Sequence, residues 1–332
     1  NNKLVIRKTK LEDLPKICSL FEEKKENVLK WILSNIQNKN SLCSYVAVNQ
    51  SNRIIGHIGY VQNKYYLNDT ELISIHPIEW MIDKELKGSL GIMLMKKITC
   101  LGDFIIIIGG TKDAQLMYPF FGFQSLGNAK IFSKIIDYPK YLLLNKSFKK
   151  KIITIFKTKH NINSFFNKKH YGNLSIKSIS ILDPKFRSLY QANGINISID
   201  KAKINWFFNC PLHQKYIIQI NYSYDLIGYA ILFFNNKTKT VRIIDIICKR
   251  EEVELYSMII DRIINFCKKL CAIDINVLST NKILLKAFEK ENFHFSGNKP
   301  IFTKINNNHL LNDAIVQKLN LSYAEGDIGY RF

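Results

Sequence analysis

The stretch Ile78-Glu79-Trp80-Met81-Ile82, then Lys87-Gly88-Ser89-Leu90-Gly91, then Ile92-Met93-Leu94-Met95, decides the fold. It reads as a buried strand, a basic glycine-containing turn and the start of an apolar helix. The first turn of a helix leaves backbone N–H groups unpaired and carries the positive end of the helix dipole. A strand that delivers the chain into such a turn sets up a place for an anion such as a pyrophosphate. Short glycine turns before helices are common, so the rest of the chain must supply the context.

Upstream, Leu4–Arg7 reads as a short strand, and Thr9 with Glu12 has capping-box spacing for a helix toward Phe21. Asn27–Ile36 reads as a second helix. Ser44–Val48 and Ile54–Val61 flank Ser51-Asn52 as a hairpin. Downstream come the helix Ile92–Leu101, the strand Phe104–Ile108, a short helix ending near Phe121, and a last strand opening at Gly122-Phe123. From Ser178 the order starts again. Helical stretches at Pro184–Ala192 and Lys201–Phe208 precede paired strands at Tyr216–Asn221 and Ile227–Phe234. Strand Val241–Ile247, helix Val253–Leu270, strand Ala272–Leu278 and helix Asn281–Glu289 complete the series. One element order used twice predicts a duplicated α/β fold with a mixed sheet. The division is 1–138, a linker at 139–175, and 176–332.

A chain of 332 residues can hold two such units, and 47% apolar with 23% charged content is that of a globular protein. The seven cysteines have no framework spacing. Cys267 and Cys271 share a helix face, but no His or second Cys pair completes a zinc set, so no metal is implied. Reduced thiols, no apolar run long enough to span a bilayer, and an opening unlike a secretion signal lead to a cytoplasmic expectation. The net charge of +21 invites a nucleic-acid reading. The basicity comes from Lys with little Arg, however, and lacks the bidentate donors that base recognition prefers, so no specific nucleic acid is expected. Residues 141–170 carry Lys146, Lys149, Lys150, Lys151, Lys157, Lys159, Lys168 and Lys169 with no acidic residue, interleaved with Phe148, Ile152, Ile155 and Phe156. This is either a linker with a solvated basic face or a peripheral membrane contact through 140–170.

Together these residues resemble the GNAT superfamily of acyl-CoA-dependent N-acyltransferases, most fully over residues 3–136. The family places an Arg/Gln-x-x-Gly-x-Gly/Ala turn between its fourth strand and the next helix. Lys87-Gly88-Ser89-Leu90-Gly91 stands there, with Leu90 at the first expected glycine. The resemblance implies two GNAT-like domains in tandem, the first holding the diphosphate of acetyl-CoA or another short-chain acyl-CoA as co-substrate. It also implies an oxyanion-binding backbone N–H near Met81 and Ile82. Ala114-x-x-x-Tyr118-x-x-x-Gly122-Phe123 resembles the family's closing helix, whose tyrosine protonates the departing thiolate; Tyr118 takes that role or is a packing residue.

An amine must shed a proton to attack a thioester, so the site needs an acceptor for it. Glu79 is the candidate base, by strand alternation facing away from Ile78, Trp80 and Ile82; the alternative is an exposed strand-face carboxylate. His76 is a second candidate, whereas His57, alternating with Ile55 and Val61, reads as a core histidine. Asp245 shares a strand face with Val241, Ile243 and Ile247, so it must be paired, protonated or placed at a cleft. It either holds a substrate amine or hydroxyl or makes a structural hydrogen bond. Asn205-Trp206-Phe207-Phe208, Pro211 and Tyr216 resemble a Trp-Arg-Tyr…Pro…Tyr signature of tandem GNAT-like proteins of bacterial surface-polysaccharide pathways, with Phe207 in place of arginine. Ala324-Glu325-Gly326-Asp327 is similar to their closing Gly-Asp. That resemblance implies the amine of a nucleotide-linked amino sugar as acceptor, bound largely by the second domain. Rival readings are an aminoacyl or peptidyl transferase of cell-wall type, an inactive binding module on the same fold, and a protein of anionic surfaces. Oligomeric state is not legible.

Overall fold

Two long runs, Ile54–Leu67 (β3) with its Ile and Tyr residues and Thr70–Ile82 (β4) with four Ile, make the longest hairpin among the described residues. The computed structural model describes residues 4–20, 26–34, 42–67, 70–83, 86, 89–144, 173–179, 196–197, 201–306 and 319–325. Around the hairpin the first half contributes β1 (Val5–Lys8), α1 (Leu14–Leu20), α2 (Glu26–Leu33), β2 (Ser44–Val48), α3 (Ser89–Ile98), β5 (Phe104–Ile108), α4 (Lys112–Met117) and β6 (Gln124–Ile135). Then come α5 (Tyr138–Leu144), β7 (Leu174–Ile179), β8 (Asn196–Ile197) and α6 (Lys201–Phe208). The second half continues with β9 (Gln214–Tyr222), β10 (Asp225–Asn235), β11 (Thr240–Cys248), α7 (Val253–Lys269), β12 (Asp274–Ser279), α8 (Lys282–Lys290) and β13 (His294–Ile305). The order β2-β3-β4-α3-β5-α4-β6 thus recurs as β9-β10-β11-α7-β12-α8-β13. Among the described residues no helix is long and apolar enough to cross a membrane.

The strands form one mixed 13-stranded sheet in the order β1-β2-β3-β4-β5-β13-β6-β12-β11-β10-β9-β7, with β8 paired to β3. The two halves exchange their last strands. β13 closes against β5, with Phe302 opposite Ile107, and β6 closes against β12, with Phe132 opposite Val277. A cut in the chain near residue 138 would therefore part each half's sheet from its closing strand, which belongs to the other half.

Three cores follow from this sheet. Leu90, Leu94, Met95 and Ile98 of α3 cover one face of the first half. Ile259, Ile260 and Ile263 of α7, with Leu284 and Phe288 of α8, cover the corresponding face of the second. The third core joins the halves: Val61, Tyr65 and Phe104 pack with Trp206, Tyr229, Phe233, Leu278 and the segment Leu319–Ala324.

Local details differ from the sequence reading. The first helix is capped through Asp13, whose carboxylate accepts from the Lys10 N–H at 2.8 Å, while Thr9 is buried against Ser44. β4 starts at Thr70 and runs through Pro77. Of the basic 140–170 segment only residues 140–144 are among the described ones; Pro184–Ala192 and Gly326-Asp327 lie outside them.

Candidate active site

β4 and β5 are parallel but pair only at Ser74–Phe104 and Ile75–Ile105. The next residue of β4 able to direct an N–H at β5 is Pro77, which has none, so the ladder ends there without an orphaned donor. Beyond it β5 stays with β13 as far as Ile108 and β4 stays with β3 as far as Ile82. The two strands diverge and leave a gap in the sheet.

β4 bulges beside this gap. Ile78 pairs with Gly59 and Met81 with His57, so Glu79 and Trp80 together face the single residue Ile58. Glu79 takes a φ of 50°, a left-handed conformation that costs a non-glycine residue energy. The bulge overturns the expected alternation: Ile78 and Met81 lie on the junction core, Trp80 and Ile82 on the α3 core. Glu79 is not the exposed strand-face carboxylate of the alternative reading but is buried. The Asp83 N–H donates to the Ile55 carbonyl at 2.9 Å. Antiparallel hydrogen-bonded pairs alternate, so the Met81 N–H is directed at β3 and those of Trp80 and Ile82 at the gap.

His57 holds the bulge from β3. It is fully buried, and its Nδ1 lies 3.0 Å from the Glu79 carbonyl oxygen. A carbonyl only accepts, so Nδ1 carries the proton. Burial pushes the ring's pKa down to about 3, and the imidazole is neutral.

Three elements meet at Trp80. The α3 N-terminus begins with exposed Ser89 and buried Leu90 and Gly91. A Cβ on Gly91 would stand 3.4 Å from the indole. Phe121 meets the same indole edge-on at 6.2 Å. Phe121 closes the 3-10 turn Tyr118–Phe121, in which Pro119 sits where a turn needs no N–H. Tyr118 is buried between Phe123 and Phe302, and its hydroxyl rests on Gly110. Any side chain at Gly110 would put Cβ 2.3 Å from that hydroxyl, and the φ of 98° there also favours glycine. Lys87 and Gly88 lie outside the described residues.

The second half has the same gap, filled. β11 and β12 pair from Thr240–Asp274 to Ile243–Val277 and then diverge. Residues 319–325 run into this opening: Ser322 bridges to Ser279, the Thr280 N–H donates to the Leu321 carbonyl at 3.0 Å, and the Leu321 N–H returns to Thr280 Oγ1 at 2.8 Å. A cavity of about 30 Å³ remains, room for water but not for a cofactor arm. β11 also bulges, at Ile244, because Asp245 pairs with Ile231 but Ile243 with Leu232. Asp245 therefore does not share a face with Val241 and Ile243, as alternation suggested. It turns to the junction core beside Ile231, and the Tyr229 hydroxyl donates to it at 3.3 Å.

Asp245 there joins a buried polar cluster between the halves. Lys203 of α6 donates to Asn63 Oδ1 and to the Ala324 carbonyl. Asn63 donates to the Glu325 carbonyl at 2.8 Å, and Glu325 Oε2 accepts from the Ser322 N–H at 2.6 Å. Burial pushes the Asp245 carboxyl up to about 6 and raises Glu325 further, where the charge of Asp245 also opposes ionisation. Burial and the nearby Lys203 charge keep His76 neutral, its pKa about 3.

The bulge with Glu79, the α3 N-terminus and the Tyr118 turn thus converge around Trp80, whereas Asp245 belongs to the junction. Sequence reading gave no role to Lys203, Asn63 or Tyr65. The available signal was a polar residue recurring in step with Val61 along β3 and a lysine three residues before Trp206, on the same helix face.

No protein-family model and no curated protein matches the chain by sequence. Solved structures match it by shape. A GCN5-related N-acetyltransferase from Anabaena variabilis superposes with a TM-score of 0.59 at 13% identity, over 91% of this chain and 73% of that one. An acetyltransferase of Pyrococcus horikoshii, named putative, gives 0.58 at 9% over 99% and 96%. Saccharomyces cerevisiae N-myristoyltransferase with bound myristoyl-CoA gives 0.57 at 10% over 90% and 82%. The fold is that of the GCN5-related N-acetyltransferases.

Proposed function

We propose that this protein is an acyl-CoA-dependent N-acyltransferase whose donor occupies the gap between β4 and β5. One observation carries the reading. Of two equivalent gaps, the second is filled by the chain's own residues 319–325, while the first keeps backbone N–H groups of a bulged strand turned into it beside a helix N-terminus. The solved acyltransferases of the same fold, one holding myristoyl-CoA, support it.

In this reading the amides of Ser89, Leu90 and Gly91, with Lys87 and Gly88 before them, hold the diphosphate of acetyl-CoA or another short acyl-CoA. The N–H groups of Trp80 and Ile82 receive the thioester oxygen as negative charge grows on it. Glu79 takes the proton of the attacking amine, the C–N bond forms, the C–S bond breaks, and Tyr118 returns a proton to the departing thiolate. Met81, committed to β3, shapes the strand. Asp245 lines the junction wall on the acceptor side.

The acceptor we propose is the amine of a nucleotide-linked amino sugar in a cytoplasmic surface-polysaccharide pathway. The Trp206-Phe207 pair and the net charge of +21, suited to a dianionic diphosphate, support that choice. Incubation with acetyl-CoA and a panel of nucleotide amino sugars, free amino sugars and peptides, with detection of free thiol, tests both parts. Thiol released by peptides alone would replace the sugar. Neither thiol release nor calorimetric binding of coenzyme A would remove the enzyme.

A further inference from the structure

We infer that His57 is a positioning residue: its Nδ1–H, donated to the Glu79 carbonyl, holds the β4 bulge in the one conformation that turns backbone N–H groups into the gap. This rests on the acyltransferase reading and assigns a role to a residue that touches neither donor nor acceptor.

Two features of the site demand an anchor. Glu79 is the only non-glycine residue with positive φ in the strands of the two gaps, and such a conformation persists only where its surroundings impose it. A regular strand, one residue shorter in register, would turn the Trp80 N–H back to β3 and close the gap edge. The His57 ring lies on the residue that first regains pairing after the bulge, opposite Met81, and reaches back to the carbonyl of the strained residue. Its neutrality keeps Nε2 from carrying a second proton into the core.

The second half supplies the control. There the first paired residue past the bulge, opposite Asp245, is Ile231, whose side chain has no donor. That bulge contains no positive φ, and its gap is filled by residues 319–325. The anchored, strained bulge goes with a gap that, among the described residues, no strand bridges, and the unanchored bulge goes with the filled gap.

The test compares His57→Leu, which removes the donor at similar volume, with His57→Asn, whose amide can place an N–H near the Nδ1 position. Turnover with acetyl-CoA, coenzyme A affinity by calorimetry and thermal stability are measured on the full chain. Expected are a kcat about tenfold to a hundredfold lower in His57→Leu, partial recovery in His57→Asn, and coenzyme A affinity within about twofold of wild type in both. Wild-type kcat in His57→Leu would overturn the inference, as would equal kcat losses in the two variants that simply follow their melting temperatures. If His57→Leu does not fold, His57→Asn decides: wild-type-like stability with normal donor binding and kcat retained to a third or more supports the anchor, and a larger loss refutes it. Wild type that neither binds coenzyme A nor releases thiol removes the enzyme reading itself, a result separate from either variant's failure.

Discussion

Trp31 and Trp206, 175 residues apart, stack at 4.7 Å and 15°, and each indole N–H donates to the other's backbone carbonyl, at 2.7 and 3.0 Å. Both are almost fully buried. The pair ties α2 of the first half to α6 of the second and seats Lys203 of the same helix against Asn63. Truncation of Trp206 to Ala should cost about 3–5 kcal/mol. Trp206→Phe, which keeps a ring but removes the N–H donated to the Trp31 carbonyl, should cost about 1–3 kcal/mol. Urea unfolding followed by tryptophan fluorescence measures both; a change under about 0.5 kcal/mol for Trp206→Ala would mean the halves are held elsewhere.

The junction carboxyls set how stability depends on pH. The folded protein keeps protons on Asp245, up to about 6, and on Glu325, raised further, that an unfolded chain has already lost. The folded state then binds more protons, so stability falls as pH rises through these values. His57 and His76, held near 3, work the other way: the unfolded chain is protonated below roughly 6.5, so they add stability as pH climbs from about 3 to about 6.5. Above that point the two histidines add nothing more and the carboxyl effect shows. The melting temperature should decline from about pH 6.5 to 8.5 and decline less in Glu325→Gln, which still accepts from Ser322. Scanning calorimetry over that range decides, and parallel curves for the two proteins would clear Glu325 of the effect.

Gly91 abuts Trp80 at the start of α3, so Gly91→Asp adds both bulk against the indole and negative charge at the proposed diphosphate turn. Coenzyme A affinity should drop by more than about tenfold, the scale of a lost charge-assisted contact. Unchanged calorimetric affinity would take the diphosphate away from this turn.

Tyr118→Phe should lower turnover by about tenfold to a hundredfold, as for loss of a general acid, with donor affinity retained. Gly110→Ala, which drives Cβ into the Tyr118 hydroxyl, should produce the same loss without touching the tyrosine itself. If Tyr118→Phe turns over like wild type, the residue only packs against Phe123 and Phe302.

Local periodicity and turn chemistry carried the sequence a long way. The repeated element order, the hairpin strands, the apolar helix after the glycine turn and the Tyr118 turn before Gly122 all follow from patterns within a dozen residues. These features suffice to name the fold class and to single out Glu79, Tyr118 and the start of α3, which lie around Trp80. Tertiary structure decided what no local pattern encodes. A bulge inserts one residue and reverses every face after it, which is why Glu79 is buried and Asp245 looks to the junction. The exchange of β6 and β13, the filling of the second gap by residues 319–325 and the meeting of Lys203 with Asn63 and Ala324 are pairings across long stretches of chain. Their free energy comes from burying surfaces and satisfying polar groups that meet only once both halves are folded.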